Sequence, residues 1–226
     1  MNEEERAGVL AQLLEERHSC RGFRPEPVPR ATIERILSLA QRTASWCNAQ
    51  PWQLHVLSHE ATQRVREALV AHARAHPPQP DFDFPAEYLG VYQERRRACG
   101  LQLYQATGVQ RGDQAASERQ WLENYRLFGA PHVAIVTSPA PLGTYAAVDC
   151  GGYVQNFMLA AWSLGVASIA QAAQAAAAGF WRERLDLPED RKVVCGIAFG
   201  FEDAAHPANA FRTARAEVAQ AVQWVE

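Results

Sequence analysis

The sequence predicts an α+β fold, a three-layer α/β/α sandwich in which helices flank both faces of a central sheet of four strands. Three observations lead to this prediction. Four short segments have the alternating or continuous apolar pattern of strands. Longer segments with apolar residues at helical spacing separate those strands. No linker or repeat divides the 226 residues, so we expect one domain that spans residues 1–226.

The first half of the chain is predicted to hold three helices and one strand. Val9 and Leu13 lie one helical turn apart. Pro29 suits the first turn of a helix, and the apolar stripe of Ile33–Ala40 follows it. Apolar and polar residues alternate over Trp52–Leu57, which predicts a partly buried strand. The expected bounds are helices at about 3–16, 29–40 and 60–75 and a strand at 52–57.

The second half begins where Pro77–Pro80 ends the third helix, and a poorly patterned aromatic stretch then runs to Tyr88. Gly129–Pro131 ends a later helix just before an apolar strand, and Pro188 precedes the last strand. The expected bounds are helices at about 86–106, 114–128, 145–164 and 174–186 and strands at 132–137, 166–170 and 192–201.

The last residues alternate between apolar and polar types over Ala221–Val225, so we expect this tail to be covered. An alternating apolar segment can add to an exposed sheet edge. We therefore predict that the tail pairs as a strand with the sheet of a neighbouring subunit.

The composition argues against several classes of function. A formal net charge of -3 gives no reason to expect nucleic acid or an anionic membrane surface as a partner. Polar residues interrupt the most apolar run, Val154–Ala170, which therefore reads as a buried helix and strand. The acidic start Met1–Arg6 lacks the layout of a signal peptide, and the five cysteines form no Cys-x-x-Cys pair. We expect a cytoplasmic protein with reduced thiols and no zinc site.

The densest polar cluster is formed by Arg17, His18, Ser19 and Arg21. A solvated helix end would explain Arg17, which complements the helix dipole, but would leave Ser19 and Arg21 without a role. A phosphate monoester would use both guanidiniums and the hydroxyl as charge-assisted donors. The basic turn that ends at Arg215 could complete such a phosphate clamp, although alone it would read as a solvated turn.

A second cluster places Ser45, Asn48 and Gln50 just before Pro51 and Trp52, where a helix gives way to a strand. Ser and Asn often satisfy the backbone of a polar loop, which is one reading of this segment. Amide side chains also match the row of donors and acceptors on the edge of a planar heterocycle such as a flavin. The two clusters together indicate a phosphorylated aromatic cofactor.

In this order the motifs resemble the FMN-dependent nitroreductase family. The family's Arg-x-Ser-x-Arg/Lys motif matches Arg17–Arg21, and its Pro-Ser-x-x-Asn-x-Gln-Pro-Trp motif matches Ala44–Trp52. The Asp-x-Gly-x-x-x-Gln-Asn helix matches Asp149–Asn156, and the last strand with its closing arginine matches Gly196–Phe201 and Arg215. The resemblance implies a mainly antiparallel sheet and a homodimer with C-terminal strand exchange and FMN at its interface.

Carried over residue by residue, the resemblance implies that Arg17, His18, Ser19 and Arg215 hold the phosphate and ribityl chain of FMN. Arg21 would lie near the flavin N1/O2 edge, where a cation stabilises the reduced flavin. The other subunit would contact the flavin ring through Ser45, Asn48 and Gln50. The backbone of Ala170, Gln171 and Ala172 would approach the ring near N5.

The resemblance implies a two-electron ping-pong reduction of nitroaromatics, quinones or similar electrophiles by NADH or NADPH. No side chain need act as an acid or base, so no catalytic residue is assigned. A relative with other flavin chemistry (dehalogenation, alkene reduction or heterocycle oxidation) and a flavin-binding protein without turnover are the alternatives. A protein that binds no cofactor is a third. The chain has no G-x-G-x-x-G after a strand, so the nicotinamide would have to visit the flavin itself.

Several positions depart from the family pattern or stay open. Ala44 replaces the usual proline, and Trp46 stands where a small residue is frequent, so its ring either borders the substrate site or packs against the partner subunit. Arg95–Arg97 reads as a solvated helix face, with a contact to nicotinamide phosphates as the alternative. The pairs His55/His59 and His72/His76 have helical spacing without a third ligand nearby, so no metal site is predicted.

Overall fold

The computed structural model describes residues 1–226, which form eight α-helices and four strands. The helices are α1 (Glu3–Glu16), α2 (Arg30–Ala40), α3 (His59–Ala75), α4 (Gly90–Thr107), α5 (Gln114–Leu122), α6 (Gly143–Ser163), α7 (Ala172–Ala176) and α8 (Ala178–Arg184). The strands are β1 (Gln53–Leu57), β2 (His132–Pro139), β3 (Ala167–Gln171) and β4 (Arg191–Gly200).

The four strands form one antiparallel sheet in the order β1-β2-β4-β3. β2 and β4 are therefore the inner strands, and β1 and β3 are the two edges. The continuously apolar sequence of the inner strands follows from this position, because both of their faces are buried. A bulge interrupts the β2–β4 register between Val136 and Thr137.

Helices cover both faces of the sheet, which confirms the predicted three-layer α+β sandwich. Successive residues of β4 point to opposite faces, so Ala198 packs with one core and Phe199 with the other. Phe199 joins α2 and α6, where its ring meets Phe157 edge to face at 5.4 Å. On the other face Leu69 of α3 and Trp181 of α8 are fully buried.

All four strands lie within two residues of their predicted bounds, but one predicted helix ends early and another is divided into two. α5 ends at Leu122, and Leu127 and Phe128 then adopt left-handed backbone angles that no α-helix contains. The helix predicted over 174–186 is divided at Ala177, whose φ of -102° and ψ of 33° separate α7 from α8. None of the helices is both long and apolar enough to cross a membrane.

Two helices contribute nothing to either core. Neither α1 nor α4 contains a buried residue. The apolar residues that predicted α1, among them Val9 and Leu10, are half exposed. The tail also lies open, since Trp224 is 84% and Val225 91% exposed. The fold therefore leaves apolar surface that the single chain does not cover.

His132, the first residue of β2, connects this strand to the end of β1 and to the segment before α2. Its Nε2 accepts a hydrogen bond from the Val28 N–H at 3.0 Å and therefore carries no proton, while Nδ1 donates to the Leu57 carbonyl at 3.2 Å. The ring is neutral in the folded chain, and burial lowers the pKa of His132 below its ordinary value of 6.5.

His132 should make the free energy of unfolding fall as the pH drops below its ordinary pKa of 6.5. As the pH falls through 6.5, the unfolded chain binds a proton at His132, while the folded chain binds it only once the pH reaches the lowered pKa of the folded ring. The fall in stability therefore lies between these two pKa values and is absent well above pH 6.5. Glutamine offers an acceptor and a donor without titrating, so His132→Gln should flatten the fall between about pH 8 and about pH 5 in urea unfolding. Equal slopes in both proteins would assign the dependence to other groups.

Candidate functional site

The segment that follows α1 runs beside the free edge of β3. Ser19 forms a parallel bridge with Ser168, and the Cys20 N–H donates to the Ser168 carbonyl at 3.2 Å. Cys20 itself is buried, its Sγ donates to the Gly22 carbonyl, and burial raises its pKa to about 12. A thiol in that state is a packing group, and the edge of β3 fixes the residues on either side of it.

A cavity of about 340 Å³ opens beside this edge. Its walls carry four arginines together with a histidine and a serine: Arg17, Arg21, Arg212, Arg215, His18 and Ser19. Five of the predicted cofactor residues therefore lie together, although Arg215 and Arg17 are 198 positions apart in the chain. We call this cavity the arginine cavity.

The positive charge of this cavity is not paired, although one carboxylate residue, Glu15, also lies in its wall. None of the four arginines forms an ion pair with a carboxylate. The Nε of Arg17 is buried and has no hydrogen-bond partner. Burial, and secondly the positive charge of Arg215, lower the pKa of Arg17, and burial also lowers the pKa of Arg21. These groups are partly desolvated cations, and an anion in the cavity would give them the ion pair that they lack within the chain.

His18 is less free than the arginines around it. Its Nδ1 lies 3.1 Å from the Glu16 carbonyl and its Nε2 lies 2.9 Å from a carboxylate oxygen of Glu202. The ring also packs edge to face against Trp162 at 5.3 Å. Both ring nitrogens are therefore engaged by the chain itself, and the ring borders the cavity as a wall.

The second predicted cluster forms a strained loop between α2 and β1, the amide loop Ser45–Gln50. Cys47, Asn48 and Gln50 have φ values of 51°, 55° and 48°, a conformation that costs about 1–2 kcal/mol for each residue other than glycine. Contacts within the fold stabilise the loop, because the Gln50 N–H donates to the Ser45 hydroxyl at 2.9 Å. The Trp46 N–H lies 3.2 Å from each carboxylate oxygen of Asp149. The loop thus holds exposed polar side chains in fixed positions.

A single chain does not bring the two clusters together. The arginine cavity lies at the β3 edge and the amide loop leads into β1, the opposite edge. Neighbouring strands lie about 4.8 Å apart, so three strand spacings place these edges about 14 Å from each other. Ala170, Gln171 and Ala172 belong to the β3 edge, where the two alanines are exposed and the buried Gln171 Oε1 has no hydrogen-bond partner.

A smaller cavity of about 200 Å³ lies between the amide loop and the start of α6. Trp46 and Tyr145 line it and pack edge to face at 4.6 Å, and Asp149 forms its polar side. Tyr145 carried no local signal in the sequence, because only the packing of α6 against the loop brings it to Trp46. We call this the aromatic cavity.

Asn209 was also missed, although it lies in the basic turn that the sequence singled out. It is buried, its Oδ1 accepts from the Arg21 N–H at 2.7 Å, and its Nδ2 donates to the carbonyls of Gly22 and Asp203 at 2.9 Å. Arg212 then donates to the Asn209 carbonyl at 2.7 Å. Asn209 therefore ties the two halves of the arginine cavity together.

The fold and the cavities define an α+β protein with a cluster of arginines at one sheet edge and a polar loop at the opposite edge. The model of the nitroreductase family matches residues 14–201. The chain belongs to the nitroreductase family, as the motifs indicated.

Two proteins of known function resemble the chain over most of its length. It is 36% identical over 222 residues to nitroreductase NfnB of Mycolicibacterium smegmatis, which covers 96% of this chain and 93% of that protein. It is 34% identical over 207 residues to a 4-nitrobenzoate reductase of Nocardioides sp. strain LMS-CY, covering 89% of this chain and 84% of that enzyme. The crystal structure of the FMN-dependent nitroreductase NfnB from Mycobacterium smegmatis in complex with NADPH superposes with a TM-score of 0.93 at 34% identity, covering 97% of this chain and 99% of that one.

Replacing Asn209 by alanine should lower the free energy of unfolding by about 1–3 kcal/mol, because the part-buried N–H of Arg21 loses its acceptor and the carbonyls of Gly22 and Asp203 each lose one of their donors. Asn209→Asp should lower it at least as much, since a carboxylate cannot donate to those carbonyls. Urea unfolding measures both. Gln110→Ala is the control, because the exposed Gln110 amide makes one hydrogen bond, to the Gly108 carbonyl at 3.3 Å. If the Asn209 variants were as stable as Gln110→Ala, the structural role of Asn209 would be contradicted.

Proposed function

We propose that this chain is an FMN-dependent oxidoreductase that uses NADH or NADPH to reduce nitroaromatics, quinones or similar electrophiles. The observation that carries the proposal is the arginine cavity, where four guanidiniums, those of Arg17 and Arg21 partly buried, form no ion pair with a carboxylate of the chain. Membership of the nitroreductase family supports it, as does the likeness to proteins described as FMN-dependent and NADPH-bound.

The residues of the arginine cavity fit the phosphate of FMN. A phosphate monoester carries close to two negative charges near neutral pH and accepts several hydrogen bonds. Arg17, Ser19 and Arg215 supply donors for it, Arg21 supplies a further cation, and His18 closes the wall. FMN, when bound, supplies the redox chemistry, taking a hydride from the nicotinamide and passing two electrons to the acceptor. The protein supplies binding, orientation and charge.

The active unit of the proposal is a homodimer. The separation of the two edges requires a second copy to supply Ser45, Asn48 and Gln50 if they are to meet a flavin held at Ala170–Ala172. The exposed apolar residues of α1 and the uncovered tail offer surface for that copy. We propose that Ala221–Val225 adds as a strand to the partner, and that residues 1–226 form one domain in each subunit.

The aromatic cavity is the proposed place of the acceptor ring. A cavity of about 150 Å³ can hold benzene, so about 200 Å³ suits a single substituted ring. Trp46 and Tyr145 present aromatic surface to such a ring. The relatives that are described as a 4-nitrobenzoate reductase and a nitrobenzene nitroreductase act on compounds of one ring.

Removing either guanidinium of the proposed phosphate site should weaken FMN binding. A charge-assisted hydrogen bond contributes roughly 1.5–3 kcal/mol, so Arg17→Ala and Arg215→Ala should each raise the dissociation constant about 10- to 100-fold. Fluorescence titration of FMN with the FMN-free protein measures this. Arg30→Gln is the control, because Arg30 is exposed and pairs only with Glu34. Full FMN occupancy in the double variant would contradict the phosphate assignment.

Stopped-flow reduction by NADH and by NADPH, followed by an acceptor screen, tests the reaction itself. Rapid reduction of the bound cofactor and reoxidation by nitroaromatics or quinones is expected. Reduction without any reoxidation by these acceptors would favour other flavin chemistry, and a bound flavin that no nicotinamide reduces would indicate storage or sensing.

Trp46→Ala should raise the KM for a nitroaromatic acceptor at least several-fold while the rate of reduction by the nicotinamide stays unchanged, since an aromatic contact contributes about 1 kcal/mol. Steady-state kinetics over acceptor concentration measures the KM. Sedimentation of the same variant is the control, because a dimer that dissociates with unchanged acceptor KM would assign Trp46 to the subunit interface instead.

A further inference from the structure

Four side chains form a continuous row of hydrogen bonds from the core to the amide loop. The Trp52 indole Nε1 donates to Gln41 Oε1, Gln41 Nε2 donates to Gln50 Oε1, and Gln50 Nε2 donates to Asn48 Oδ1, each at 3.1 Å. We call this row the amide relay. It begins at a buried indole that packs on Tyr153 at a centroid distance of 5.0 Å, and it ends at an exposed asparagine.

The chemistry of its two ends fixes the direction of every amide in the relay. An indole N–H can only donate, so Gln41 must turn its oxygen toward Trp52 and its NH₂ group toward Gln50. The same logic turns the NH₂ group of Gln50 toward Asn48. At this end Gln50 Nε2 also lies 3.3 Å from the Asn48 backbone carbonyl, which can only accept. A reversed amide at any step would set two donors or two acceptors against each other.

The relay occupies only one of the two polar groups of the Asn48 side chain. The side-chain oxygen of Asn48 is taken by Gln50, while the Asn48 NH₂ group has no partner and is exposed. The left-handed φ of 55° at Asn48 fixes the backbone that carries this group. Asn48 is therefore a donor toward its surroundings and not an acceptor.

We propose that Gln41 is a positioning residue of the flavin site, which sets the polarity of Asn48 so that it presents N–H donors to the cofactor. The inference rests on the proposed function and names the atoms that Asn48 can meet. These are the flavin carbonyl oxygens or a ring nitrogen without a proton, and never the flavin N3–H. A donor at such an atom stabilises the negative charge of the reduced cofactor, so the relay raises its reduction potential.

Gln41 suits this role because its place is rigid and its side chain is accessible. It is the residue at the C-terminal end of α2, where its own N–H donates to the Leu37 carbonyl at 2.9 Å. Its side chain is exposed in the chain, so substitutions there leave both cores intact. Trp52 belongs to the core, and its replacement would disturb packing as well as the relay.

Two substitutions of Gln41 separate the loss of the relay from its reversal. Gln41→Leu removes both hydrogen bonds without a charge. Gln41→Glu still accepts from Trp52 but has no N–H for Gln50. Its charged carboxylate is a stronger acceptor than the neutral backbone carbonyl of Asn48, so Gln50 turns its NH₂ group to the carboxylate and Asn48 turns its side-chain oxygen outward. Arg42→Gln is the matched control, because it changes the charge by the same one unit at the next residue, whose side chain is exposed and makes no hydrogen bond or ion pair.

The midpoint potential of the bound flavin, measured against reference dyes, should be highest in the wild type and in Arg42→Gln. It should fall in Gln41→Leu and fall further in Gln41→Glu. A tenfold loss of the preference for reduced over oxidised flavin corresponds to about 30 mV for a two-electron couple, and we expect a loss of about this size in Gln41→Glu. In the FMN-free protein, the side-chain amide resonances of Asn48 and the indole resonance of Trp52 should shift in Gln41→Leu and not in Arg42→Gln.

The outcomes are distinct. Gln41 variants that retain FMN with the potential of Arg42→Gln would overturn the positioning role and leave the proposed function standing. Unshifted Asn48 and Trp52 resonances in Gln41→Leu would overturn the relay itself. A wild-type protein without affinity for FMN would overturn the proposed function, which the potential measurement presupposes.

Discussion

Partly desolvated positive charge without an ion-pair partner is the constraint on which the arrangement of this protein depends. A guanidinium that leaves water needs an anion or a full set of acceptors to offset the loss of hydration. Arg17 has neither, since its Nε is buried without a partner and the charged group that shifts its pKa is another cation, Arg215. The surrounding structure is built to hold these cations in place. Ser19 is pinned to β3 and Asn209 ties the Arg21 backbone to the closing turn.

The strand order of the sheet explains why the proposed flavin site needs two chains. Its two edges carry different chemistry, with cations beside β3 and amides before β1, and two inner strands lie between them. A planar cofactor long enough to need both must therefore draw on two copies. The same chain leaves the apolar faces of α1 and its tail uncovered, which a monomer in water would not favour. The charge arrangement and the exposed apolar surface thus favour the same assembly.

Much of the fold could be predicted because its signals are local. The alternation at Trp52–Leu57 and the apolar stripe of Ile33–Ala40 reflect burial directly, and the structure has β1 and α2 at these positions. The strand order could not be predicted in the same way, because pairing of β2 with β4 joins residues about sixty positions apart. The early end of α5 also has no local pattern, since left-handed Leu127 and Phe128 are held by the surrounding core. The site motifs were readable one by one, but the roles of Asn209 and Tyr145 depend on contacts between distant segments.

The amide loop shows how such a site departs from what stability alone would favour. Left-handed backbone at Cys47, Asn48 and Gln50 costs free energy, and the exposed NH₂ group of Asn48 adds nothing to the fold. In most of the chain the conformational preference of each residue agrees with the fold, but in the amide loop the two conflict. The conflict is maintained by partners that are themselves rigid, namely Asp149 on α6 and Trp52 in the core. A loop that is strained, fixed in polarity and open to solvent has the properties that a preorganised binding surface requires, because a ligand then meets donors that need not be ordered again.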